Sequence, residues 1–412
     1  MHRSSLTRVT IPLLVGAIAL TGCGSKKETG SGSGGGGATS AGKTIKIGVI
    51  APLSGDLAEV GLGIRNGVDL AIKQANKAGT VKGFTLEMDA EDDTGKADVG
   101  AQVATKVVSD NSVVGVVGPL NSSVAKTVAP VLSSAGMVVI SPSNSNVDLT
   151  GRGALTTGGT QKRPYSSYFR VVPSDDIQGP FAARYAVMTL NKKKIALVND
   201  KKAYGAGLAA AFGTEAKKDG AQVVANETIN PGEKDFSAVV TKITAVKPDF
   251  LFYGGEYPEA SLLTKQLKAK GLNIPLMGGD GVDSSKYITN AGAASEGDYA
   301  TTLGAPSDQL PTAKQFVSDY KTAGYKEDKD PYGALAYDAA NVIIQGVAKS
   351  AASGSSGDAL RKAVLQAVGE AKYSGVTGSI SFDMFGDTNN KVLTVNVVKG
   401  GKFVPLKTDT FK

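Results

Sequence analysis

The residues best placed to do chemistry in this chain of 412 lie where apolar runs break into small polar ones. Gly118-Pro119-Leu120-Asn121-Ser122-Ser123 follows an apolar strand-like run and enters a helical pattern, so unpaired amides and the positive end of a helix dipole face the space beyond the strand. Such an end stabilises a carboxylate. A plain cap by Asn121 or Ser122 is the duller reading of the same residues. Ile140-Ser141-Pro142-Ser143-Asn144-Ser145 offers further hydroxyls and carbonyls at another strand end. Asp280 in Gly278-Gly279-Asp280-Gly281 has the composition of a surface turn, and Tyr204 and Tyr332 read as packing residues.

What is missing narrows the chemistry further. His2 and Cys23 are the single histidine and single cysteine, so the chain beyond residue 23 has no His-dependent triad, no thiol nucleophile and few options for zinc or copper. No metal and no cofactor is expected. An enzyme using Asp280 and Glu256 as paired carboxylates ranks last among the readings. Gly37-Ala38-Thr39-Ser40-Ala41-Gly42-Lys43-Thr44 matches a P-loop in letters only, because it leads into a strand at Ile45 where a phosphate cradle needs a helix. Gly61-Leu62-Gly63-Ile64-Arg65-Asn66 lacks the third glycine of a dinucleotide fingerprint and reads as a helix entry.

The start of the chain has the form of a secretory signal, with Arg3 and Arg8 before an apolar stretch from Val9 to Leu20 that is too short to span a bilayer. Leu20-Thr21-Gly22-Cys23 resembles the bacterial lipobox, which implies cleavage after residue 22 and a lipid on Cys23. The expected product is exported and anchored to the membrane, facing the periplasm or the cell exterior. Residues 23–42 are rich in Gly and Ser and can bury little apolar surface, so they read as a tether with a reach of about 24 Å. Acids and bases are interspersed along the rest, which argues against a nucleic-acid partner.

These candidate residues need elements to hold them. Ile45, Ile47 and Val49 alternate as in a strand, and Ile64, Val68, Ala71, Ile72 and Ala75 recur at helical spacing before Gly79. The rhythm continues through 84–88 (strand), 99–109 (helix), 113–117 (strand), 122–134 (helix) and 137–140 (strand). After a Gly- and Thr-rich loop at 151–160 it is written again over 194–269. This βαβ pattern predicts an α/β fold of two domains, each with a parallel sheet covered on both faces, and ligands beyond the carboxyl ends of the strands.

At these residues the body resembles the leucine/isoleucine/valine-binding proteins that serve branched-chain amino acid ABC transporters. The matching stretches are Ile47 to Gly55, Gly118 to Ser123, Ile140-Ser141-Pro142, Tyr204-Gly205, Gly232 to Ser237, Tyr253-Gly254-Gly255 and Asp330-Pro331-Tyr332, in order along nearly the whole chain. The resemblance implies a type I periplasmic-binding fold: two Rossmann-like lobes, 43–172 plus 304–378 and 173–303 plus 379–412, joined by crossovers near 170–175, 302–305 and 377–381. It implies a monomer that binds an amino acid, most simply a branched-chain one, and delivers it to a permease with its ATPase. A sensor reporting amino acids or amides to a signalling receptor is the alternative, and catalysis is not expected.

Carried over residue by residue, the resemblance puts the ligand carboxylate on Ser122 and Ser145 and the ammonium on the Ser143 carbonyl and Asp280. Tyr332 would close from the far lobe, Tyr204 would join the site, and Asn144 would be a wall residue. Two positions depart from the family's aromatic pattern, Val60 and Glu256. Val60 would widen the pocket, while Glu256 could reinforce the ammonium site, bind a basic side chain or swing to solvent beside Tyr257. Gly95 and Asn121 stand where some members carry a disulfide.

Overall fold

The strands buried on both faces set the architecture. β1 (Lys43–Ala51), β2 (Phe84–Asp92), β3 (Val113–Val117), β4 (Val138–Ser141) and β5 (Tyr168–Arg170) form a five-stranded sheet in the order β2-β1-β3-β4-β5, parallel throughout. Every residue of β3 and β4 is buried, as expected of strands covered on both sides. The crossovers carry α1 (Ala58–Ala78), α2 (Ala97–Ser109) and α3 (Ser122–Ser134). This is a computed structural model, and it describes residues 43–329, 331–351, 354 and 356–411. The signal, Cys23, the tether and Asp330 lie outside the described residues.

Beyond β5 the chain builds a second body with α4 (Asp175–Arg184), β6 (Lys194–Asn199), α5 (Ala203–Lys218), β7 (Gln222–Thr228), α6 (Ser237–Val246), β8 (Phe250–Gly254), α7 (Tyr257–Ala269), β9 (Leu276–Gly278), α8 (Ser285–Ala291) and β10 (Tyr299–Leu303). It then returns to the first sheet with α9 (Lys314–Thr322), α10 (Gly333–Ala351), α11 (Gly357–Gly369) and a hairpin of β11 (Tyr373–Gly375) and β12 (Gly378–Ile380). Finally β13 (Val392–Lys399) and β14 (Lys402–Thr410) complete a seven-stranded sheet in the order β14-β13-β10-β9-β8-β6-β7. The fold is therefore α/β with two Rossmann-like lobes and three crossovers, in agreement with the expected class.

Two features differ from the sequence reading. The second sheet is not parallel throughout, because β13 pairs antiparallel with both β10 and β14. A short turn at Gly400 and Gly401 joins the last two strands, and this local hairpin carries no βαβ signal. The last crossover also runs later than 377–381. Val376 and Thr377 donate to Asp338 of α10 from their backbone amides at 2.9 and 2.8 Å, and the rings of Phe382 and Phe169 lie 4.9 Å apart. The Arg170 amide then donates to the Gly386 carbonyl at 3.1 Å, so the chain leaves the first lobe only after Asp387.

Arg170 explains that delay. Its guanidinium is fully buried and donates to Asp387 Oδ1 at 2.6 Å, to the Asn146 carbonyl at 2.8 Å and to Thr150 Oγ1 at 2.7 Å. A buried charge with these partners is costly to break, so the pair ties the end of β5 to the returning segment. In the first lobe α1 lies tight on the start of α10: a Cβ at Gly67 would come within 2.2 Å of the Gly333 carbonyl. That approach fixes the start of α10 and with it Tyr332, the residue just before.

Candidate functional site

Three strand ends of the second lobe converge opposite two of the first. After β3, Gly118 takes a φ of 120°, and a Cβ there would collide with the Ile50 carbonyl, so only glycine lets the chain turn back over β1. The turn delivers Asn121 to the N-cap position of α3, followed by Ser122 in its first turn. Asn121 makes no side-chain cap bond, which corrects the plain-cap reading. Its amide crosses the cleft and donates to Glu256 Oε1. The first amides of α3 thus remain at the cleft with the positive end of the dipole.

The loop after β4 is locked to that turn. Ser143 Oγ donates to the Leu120 carbonyl at 3.0 Å, Asn144 Nδ2 donates to the same carbonyl at 2.7 Å, and Ser141 Oγ accepts from the Asn144 amide at 2.8 Å. Ser122 Oγ accepts from the Asn146 amide at 3.4 Å. These bonds hold two polar loops at one spacing, as a preorganised binding wall requires.

The opposite wall comes from the second lobe. Asp280 follows β9 and is 2% exposed, so the surface-turn reading fails: a turn is present, but at the bottom of the cleft. Its Oδ1 accepts from Gln178 Nε2 at 2.9 Å and from the Tyr204 hydroxyl at 2.8 Å, and its Oδ2 accepts from the Tyr332 hydroxyl at 2.8 Å. Burial pushes this carboxyl above the usual range, against the pull of those three donors. Tyr332 belongs to the first lobe, so its bond spans the cleft. The Tyr257 hydroxyl also crosses, donating to the Asp56 carbonyl, and Asn146 Nδ2 donates to the Ala203 carbonyl at 2.8 Å. The lobes are closed on each other.

A narrow cavity lies between these walls. Of the nine residues expected at the site, Val60, Ser122, Ser143, Tyr204, Glu256, Asp280 and Tyr332 line it. Asn144 and Ser145 do not. Asn144 spends its side chain on the Leu120 carbonyl, and Ser145 sits behind, its carbonyl accepting from the Asp175 amide at 2.8 Å and its side chain fully buried. Leu57, Leu120, Asn121, Tyr257, Gly281, Asp283 and Ser284 complete the lining. Glu256 is 7% exposed and does not swing to solvent, since Lys202 Nζ donates to its Oε2 at 2.6 Å.

The arrangement suits a zwitterion. Helix amides and serines lie on one side for an anion, a buried carboxylate lies on the other for a cation, and apolar side chains lie between. Sequence reasoning missed Gln178, Lys202 and Tyr257. Gln178 is an ordinary helical residue by pattern, and it reaches Asp280 only because α4 packs against the second sheet. Lys202 stood beside Tyr204-Gly205 as one more charge before a helix.

Residues 44–402 match the family model described as periplasmic binding protein. The chain is similar to a Leu/Ile/Val-binding protein of Rhizobium johnstonii, 33% identical over 361 residues, covering 87% of this chain and 93% of the relative. It is also 34% identical to a leucine-, isoleucine-, valine-, threonine- and alanine-binding protein of Pseudomonas aeruginosa, covering 86% and 90%. Among solved structures it is similar to a branched-chain amino acid transporter substrate-binding protein of Streptococcus pneumoniae in complex with isoleucine, with a TM-score of 0.76, 28% identity and coverage of 88% of this chain and 100% of that one.

Proposed function

The chain belongs to the Leu/Ile/Val-binding family of periplasmic binding proteins, and on that premise we propose that it captures an α-amino acid between its lobes and delivers it to an ABC permease. One observation carries the reading: buried Asp280 and the N-terminal turn of α3 face each other across one cavity, at a spacing held by serines on one side and by Tyr204 and Gln178 on the other. An ammonium entering this cavity meets a carboxylate already desolvated and held by three donors, so little reorganisation opposes binding. The carboxylate of the same ligand meets the helix amides. Leu57, Val60 and Leu120 offer an aliphatic side chain apolar contact, which supports branched-chain amino acids as the starting class.

Closure follows from the same contacts. The ligand would replace water between the lobes and add to the Tyr332–Asp280 and Asn146–Ala203 bonds, shifting the balance toward the closed form that a permease receives. The lipid on Cys23 and the tether would keep the monomeric body near its transporter on the outer side of the membrane. Calorimetric titration with leucine, isoleucine and valine tests the reading, and absence of heat with every α-amino acid overturns it. Labelled palmitate should enter the wild-type chain and not the Cys23→Ala variant; equal labelling would remove the anchor.

A further inference from the structure

The side-chain end of the cleft is more polar than a pocket for aliphatic residues alone requires. Glu256, lining the cavity, accepts from Asn121 and from Lys202 at once. Around this pair stand two more carboxyl groups, Asp93 and Asp200, both fully buried. Asp200 Oδ2 lies 4.0 Å from Lys202 Nζ, too far for a hydrogen bond, and has no other partner among the described residues. Asp93 Oδ2 and Asn121 Oδ1 are likewise buried and unpartnered. Asn121 is 4% exposed and lines the cavity itself.

Charge and hydrogen-bond counts point the same way. Among the described residues Lys202 is the one cation paired with Glu256, Asp200 lies 4.0 Å from it, and Asp93 Oδ2, Asn121 Oδ1 and Asp200 Oδ2 are left without a hydrogen bond. Leaving a buried acceptor unmet is costly, so a corner with three of them favours any ligand that brings N–H donors and positive charge. A metal ion is not the answer, since no group of three or more such side chains among the described residues is arranged to hold one.

We infer that Asn121 and Glu256, which line the cavity with Asp93 and Asp200 buried near them, form a cation subsite, and that the cleft takes amino acids with a basic side chain as well as aliphatic ones. The inference rests on the amino-acid reading above and extends its ligand class. Because Asp93 and Asn121 belong to the first lobe and Asp200 and Glu256 to the second, a cationic side chain here binds both lobes and favours closure. Burial and the nearby Glu256 push the Asp200 carboxyl up to about 7, and burial does the same for Asp93, so a cationic side chain brought here would draw both toward their charged forms.

The test is calorimetric titration of the purified protein, stripped of carried ligand, with L-arginine, its neutral isostere L-citrulline, and L-leucine. Arginine is expected to bind about ten-fold or more tightly than citrulline, the value of a charge-assisted hydrogen bond. Glu256→Gln should bring the arginine-to-citrulline ratio toward one, and Asp93→Asn should lower it if the first variant does not fold. Leucine binding with no preference for arginine over citrulline overturns the cation subsite alone. No heat with any of the three overturns the amino-acid reading as well.

Discussion

The Tyr332 hydroxyl donates to Asp280 Oδ2 at 2.8 Å, and this bond joins the first lobe to the second at the floor of the cleft. Asp280 thus serves two purposes: it faces the place of a ligand ammonium, and it is a latch point for closure. Coupling the two makes the closed state and the occupied state support each other.

Asp280→Asn should abolish most amino-acid binding. Removing one partner of a buried ion pair costs about 3–5 kcal/mol, so affinity is expected to fall by more than about 100-fold while circular dichroism stays unchanged. Titration calorimetry checks it, and a drop of less than ten-fold would place the ammonium elsewhere.

Tyr332→Phe keeps the ring and removes the latch. The expected loss is about 1–2 kcal/mol, read mainly as faster ligand release in stopped-flow fluorescence. Small-angle scattering of the ligand-free variant should show a larger radius of gyration than wild type.

Arg170→Met takes from Asp387 its nearest cation and leaves Arg152 at 3.6 Å, and Asp387→Asn takes from a fully buried guanidinium its carboxylate. Either should destabilise the fold by about 3–5 kcal/mol in urea unfolding, and the double variant should recover part of that loss. Strict additivity of the two losses would show that the pair does not hold the last crossover.

Stability should fall as pH rises from 4 to 8. Burial lifts the Asp175 carboxyl to about 8, and lifts Asp93 and Asp200 to about 7. These groups bind protons more tightly folded than unfolded, so their contribution is full below about pH 4 and is lost as pH passes the folded values. Asp110, held down to about 2 by Ser112 and Lys46, has the opposite sign and weakens the fold only in stronger acid. Thermal melts should give a higher Tm at pH 5.5 than at pH 8.5, and Asp175→Asn should flatten the slope.

Glu256→Tyr should raise the preference for leucine over arginine, because an aromatic ring replaces a carboxylate at the lining and Lys202 loses its partner. Competition titrations read the change. An unaltered ratio would mean that Glu256 serves only to hold the lobes together.

Much of this protein was legible in its residues because local physics decided it. Alternating and continuous apolar runs marked β1, β3 and β8, and α3 runs over 122–134, where its pattern placed it. The absence of His and Cys beyond residue 23 removed whole classes of catalysis. Polar strand ends at 118–123 and 140–145 marked the binding side of the sheets.

What the sequence could not determine depends on distance along the chain. Asp280 has the neighbours of a surface turn, and only the packing of α4, α5 and the loop before α10 turns it into a buried carboxylate with three donors from positions 178, 204 and 332. Glu256 could have swung to solvent by its sequence, and closure of the lobes instead brings Asn121 and Lys202 to it. Lone charges are cheap at a surface and costly when buried, so their roles are set by what surrounds them rather than by their neighbours in sequence. The sequence by itself determined the elements, the fold class and the excluded chemistries. Tertiary structure decided which charges face each other, because burial and pairing are properties of the assembled cleft.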